Sequence, residues 1–92
     1  MSKESEEIKI TPAQEVIGLL QNSRDLAMAQ HITEARDVIK AARIVAKSFS
    51  LLNEELFDRL GEAVISKPYH ALPAEYDNAY NAINARWKEI SK

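Results

Sequence analysis

Few residues in this chain could do chemistry. There is no cysteine, so a thiol nucleophile, a thiolate metal site and a disulfide framework are all excluded. His31 and Glu34 stand three apart, share one face of a helix, and could supply two metal ligands. A metal site needs at least three, and no second His or Cys lies at helical spacing, so a surface pair is the plainer reading. His70 sits beside Tyr69 in a loop-like stretch, where a lone histidine reads as polar surface with a pH-sensitive contact as the sharper option. The chain has no phosphate-cradling Gly-rich loop, no G-x-S-x-G and no H-E-x-x-H. No catalytic, cofactor-binding or metal-binding residue is expected, and neither is enzymatic activity.

Recognition is better represented. On a helical projection at about 100° per residue, Arg36, Lys40, Arg43 and Lys47 fall within a strip about 60° wide. Four cations on one face suit an acidic partner or nucleic-acid phosphates. Glu34 and Asp37 lie close by, and no aromatic or Asn/Gln side chain interleaves the strip for contacts to bases. An answering acidic set, Glu54, Glu55, Asp58 and Glu62, lies on the next helix; antiparallel packing would let the two partly neutralise each other for little energy per pair. Asn78, Asn81 and Asn84 recur at three-residue steps and could form a hydrogen-bonding face, although tolerated surface residues are the blander reading. Tyr76, Tyr80 and Trp87 have the chemistry of interface anchors but the spacing of a core stripe. The expected partner-binding residues are therefore Arg36, Lys40, Arg43, Lys47, Asn78 and Asn81.

The elements that must carry these residues are helical throughout. Ninety-two residues with 46% hydrophobic and 28% charged content describe one ordinary globular domain. A net charge of −2 imposes no global bias toward nucleic acid or membrane. No apolar run is long enough to span a bilayer, and Met1 to Lys9 lacks the apolar stretch of a secretory signal, so a cytoplasmic protein is expected. Residues 1–10 are polar and acidic-leaning and read as a flexible tail, leaving 11–92 as the single helical domain.

Met28, Ile32, Ala35, Ile39, Ala42, Ala46 and Phe49 step by fours and threes, the rhythm of one helix face. That run makes the second helix the spine of the fold. Its full apolar arc, out to Ile44, spans roughly 220°, where a surface helix needs about 100° or slightly more. Such an arc calls for cover on two or three sides, by neighbouring helices or by a second copy in a homodimer.

Thr11-Pro12-Ala13-Gln14 has the pattern of a capping box with proline in the first turn. Asn22 to Asp25 interrupts the apolar pattern, with Ser23 as the next N-cap. Asn53 caps the third helix, and Lys67-Pro68 ends it. Pro73 opens the fourth. The expectation is an all-α antiparallel four-helix bundle with helices over 12–21, 24–48, 54–66 and 73–91. A second break near His31-Thr33 is the alternative, set aside because the rhythm passes through it undisturbed.

Asn53-Glu54-Glu55-Leu56-Phe57 with Leu60, followed by Leu72-Pro73-Ala74-Glu75 and Tyr80, resembles the pediocin-type bacteriocin immunity proteins. The order of helices resembles theirs from residue 13 onward. The resemblance implies a cytosolic four-helix bundle that protects a producer cell by recognising a membrane-associated target complex, and it carries over no individual site residue. Taken together, the expected function is non-catalytic binding of a partner protein, as an inhibitor, immunity factor or adaptor. Nucleic-acid binding through the basic strip is the competing class.

Overall fold

The structure, a computed structural model, describes residues 10–91. Among them are four α-helices and no strand: α1 (Pro12–Met28), α2 (Ile32–Ser48), α3 (Glu54–Ser66) and α4 (Leu72–Ile90), with one 3-10 turn (Tyr69–Ala71) ahead of α4. The expected all-α antiparallel bundle is the observed fold. Contacts between consecutive helices mark the reversals: Ser23 of α1 meets Ala35 of α2, Arg43 of α2 meets Asp58 of α3, and Arg59 of α3 meets Glu75 of α4. α1 also packs on α4, which closes a ring and leaves α2 and α4 diagonal to each other. The tail reading of residues 1–10 lies, apart from exposed Ile10, outside the described residues.

The starts of α1, α3 and α4 follow the expected chemistry. Thr11 Oγ1 accepts from the Gln14 N–H at 3.1 Å and Gln14 Oε1 accepts from the Thr11 N–H at 3.0 Å, a complete capping box. Asn53 Oδ1 accepts from the Leu56 N–H at 3.1 Å, satisfying an otherwise orphaned donor of α3. Pro73 lies in the first turn of α4, where the missing N–H costs nothing.

The first helix boundary is where expectation and structure part. α1 does not stop near Gln21; it runs on to Met28, and the chain reverses at Ala29 to His31, so the long second helix over 24–48 is in fact two helices. The buried line of α1 is Ala13, Val16, Leu20, Ser23 and Ala27, which keeps Gln21 and the Arg24 head off the core. Ser23 is not a cap but a fully buried core residue. Its hydroxyl donates to the Ala35 carbonyl at 2.8 Å. That commits its one hydrogen, so the Tyr76 hydroxyl, also 2.8 Å away, donates to Ser23 Oγ. A polar residue satisfied from two other helices does not interrupt a core stripe.

The true stop carries no glycine. His31 N–H reaches the Leu26 carbonyl at 2.8 Å and Gln30 N–H the Ala27 carbonyl at 3.0 Å, the paired bonds of a Schellman turn, with Gln30 in the left-handed region at φ 69°. The end of α2 repeats it: Leu51 N–H reaches Ala46 at 2.8 Å and Ser50 N–H reaches Lys47 at 3.2 Å, with Ser50 at φ 63°. A non-glycine residue there costs roughly 1–2 kcal/mol. Both glycines of the chain, Gly18 and Gly61, sit inside helices instead. The 4–3 rhythm crosses the Ala29–His31 turn by coincidence, since Met28 is 42% exposed and belongs to the turn rather than the core.

Candidate interaction surface

α2 buries one line, Ala35, Ile39, Ala42 and Ala46, against the other helices. Three alanines on that line let α1 come close, and the larger side chains opposite fill the space. Val38 and Val45 flank the line half-buried. The rest of the apolar arc is left open: Ala41 is exposed, and Ile44 is 71% exposed, the most of any large hydrophobic among the described residues. Among the described residues α1 and α3 cover α2 on two sides, the lower bound of the expected cover, and the outer part of the arc stays open.

The basic strip runs along the α3 side of α2. Arg36, Lys40 and Arg43 form one wall of a groove of about 430 Å³, with Asp58 and Glu62 on the opposite wall and Ile39, Phe57 and Gly61 on its floor. A Cβ on Gly61 would meet nothing within 4 Å, so the glycine serves no close approach there. The anticipated neutralisation between α2 and α3 is concentrated on one residue. Arg43 donates to Glu54 and, at 3.1 Å, to Asp58. Its guanidinium is partly exposed, so the pairs contribute about 1 kcal/mol at most. Among the described residues, Arg36, Lys40 and Lys47 have no carboxylate within 4.0 Å. Of the four expected cations, Arg43 is engaged within the fold and three point their charge to solvent.

Asn78 and Asn81 do not join this surface. Both are exposed on α4, diagonal to α2. Asn78 lines a smaller cleft of about 180 Å³ between α3 and α4 with Leu56, Arg59, Leu60 and Glu75. Tyr76 is fully buried, and Tyr80 and Trp87 pack half-buried against the core, which gives the aromatic set its structural reading. Burial holds the hydroxyls of Tyr76 and Tyr80 above the ordinary phenol value of 10.0, making them weaker acids at neutral pH.

His31 and Glu34 form the expected surface pair, Nδ1 to Oε1 at 3.0 Å, and among the described residues no group of three His, Cys, Asp or Glu side chains could hold a metal ion. A second apolar region lies where the α1–α2 and α3–α4 connections meet. There Ile32, Ile65, Pro68 and Tyr69 border a cleft of about 370 Å³. No helix of the described residues is long and apolar enough to cross a membrane.

Ile44 is the surface residue that the reading of charges left out of the binding set. Its signal was its position on the projection, at the edge of the apolar arc and adjacent to the cationic strip. No protein family, characterised protein or solved structure matches this chain.

Proposed function

We propose that the protein acts without catalysis, by binding another protein as an inhibitor, immunity factor or adaptor. The observation that carries this reading is Ile44, 71% exposed, with Lys40 and Lys47, which have no carboxylate within 4.0 Å among the described residues, one turn to either side. A single exposed isoleucine is ordinary on a protein surface. An isoleucine bordered by exposed Ala41, half-buried Val45 and free charges has the make-up of an apolar anchor with a polar rim. The resemblance to bacteriocin immunity proteins supplies the finer form of the reading, a target complex at a membrane.

The absence of cysteine makes a site-specific test simple. A single Ala41→Cys substitution, one turn from Ile44 on the same exposed ridge, carries a benzophenone photo-crosslinker and leaves the anchor intact, and a Lys88→Cys variant on α4 serves as control. Irradiation in host lysate with a detergent-solubilised membrane fraction should trap one discrete protein through position 41 and not through position 88. Equal trapping at both positions, or none at 41, removes the reading. A membrane-protein adduct selects the immunity form, and a soluble enzyme adduct selects the inhibitor form.

A further inference from the structure

Resting on that reading, we infer that the occupant of the α2 face is an acidic amphipathic segment, a helix whose apolar residue covers Ile44 and whose carboxylates meet Lys40 and Lys47. The two lysines are seven positions apart, about 10 Å along the axis, and stand on the same side of α2 with Ile44 between them. Arg36 extends the row by a further turn. Arg43, in the same row, is already held by Glu54 and Asp58 and offers a partner little charge. Asp37 on α2 and Asp58 and Glu62 across the groove lie along this row, yet among the described residues no carboxylate is within 4.0 Å of Arg36, Lys40 or Lys47. The face therefore combines three available cations with one apolar anchor.

Other occupants match these features less well. A phosphate backbone would use the cations but offers nothing apolar to cover Ile44. A lipid surface needs a broad apolar face, and the outer ridge of α2 reads Asp37, Ala41, Ile44 and Ser48, with a single large apolar side chain. In a two-fold antiparallel pairing of α2 with a second copy, like flanks oppose each other, which sets Lys40 of one copy beside Lys47 of the other. An acidic helix meets the charges and the anchor together, as edge charges do around an apolar seam.

The test uses the full chain and a fluorescent helical peptide of about 15 residues, with a central leucine and glutamates about one turn to either side of it. Fluorescence anisotropy should report saturable binding that weakens as salt rises. Ile44→Asp and Lys40→Glu/Lys47→Glu should each weaken it about tenfold or more. The charge-reversed protein should instead gain affinity for a peptide with lysines in place of the glutamates. Arg86→Glu/Lys88→Glu, on α4, should leave binding unchanged. Circular dichroism establishes that each variant remains folded. The inference is overturned by failure of the acidic peptide to bind, by binding indifferent to Ile44→Asp, or by tighter binding of duplex DNA or anionic vesicles. A dimer of the free protein, in sedimentation, that Ile44→Asp dissociates also overturns it. Failure of the peptide alongside a discrete adduct through position 41 would discard the acidic segment while leaving partner binding standing.

Discussion

Ser23 and Ile44 sit on opposite wrong sides of the bundle by polarity, and the difference between them is instructive. Ser23 is a polar residue with no exposure, and Ile44 is an apolar residue with 71%. Ser23 has both its needs met inside the fold, by the Ala35 carbonyl and the Tyr76 hydroxyl. It links α1, α2 and α4 at one point, and its burial is a structural device. Ile44 has no comparable arrangement, because α1 and α3 flank α2 but leave its outer ridge to solvent. A mismatch that the fold resolves belongs to stability, and one that it leaves open is free to serve recognition, as proposed for Ile44.

The sharpest way to break this contrast is at Tyr76. Replacing it by alanine removes a fully buried aromatic side chain and should destabilise the protein by about 3–5 kcal/mol in denaturant unfolding. A loss under 1 kcal/mol would mean that the α1–α4 contact does not depend on this residue. Ser23→Ala is a milder cut. It strands the Tyr76 hydroxyl in the core, for an expected loss of about 1–3 kcal/mol. The Ser23→Ala/Tyr76→Phe pair should cost less than the sum of its parts, since the double variant strands no hydroxyl. Strict additivity in that double-mutant cycle would deny the bond between the two.

Alkaline pH addresses the same bond without mutation. The Tyr76 hydroxyl titrates above 10.0 in the folded protein because burial disfavours the phenolate. Its contribution is therefore complete below pH 10 and is lost as pH rises from 10 through the folded-state value. Unfolding midpoints followed above pH 10 should fall for the native protein and fall less for Tyr76→Phe. Tyr80, also raised by burial, adds to the decline in both proteins. The smallest effect on stability is expected at Ile44. Ile44→Asp should change unfolding by no more than about 0.5 kcal/mol while abolishing partner capture. Substantial unfolding would show that Ile44 supports the fold after all and would dissolve the contrast with Ser23.

Much of the architecture was legible in the residues themselves, where local chemistry decides. The capping box at Thr11, the cap at Asn53 and the prolines at positions 68 and 73 fix helix ends through bonds and exclusions that span only a few positions. α3 accordingly has the expected bounds, Glu54–Ser66. The turn between α1 and α2 was not legible. Gln30 and Ser50 take the left-handed conformation without being glycine, so the usual stop signal is missing at both ends of α2. The cationic strip could be read from its spacing, but its division into one engaged arginine and three available cations could not.

By itself, the sequence determined an all-α chain, its capped starts, the apolar stripes that face inward, and a row of cations along α2. These follow from periodicity and from side chains acting on backbone within a turn or two. Tertiary structure alone decided that Ser23 lies in the core, because its partners come from residues 12 and 53 positions away. It also decided that Asn78 and Asn81 lie away from the cationic strip, because α2 and α4 are diagonal. Finally, it decided that Ile44 stays uncovered. A helix's own residues define how wide its apolar arc is, but only the number and placement of its neighbours define how much of that arc reaches water.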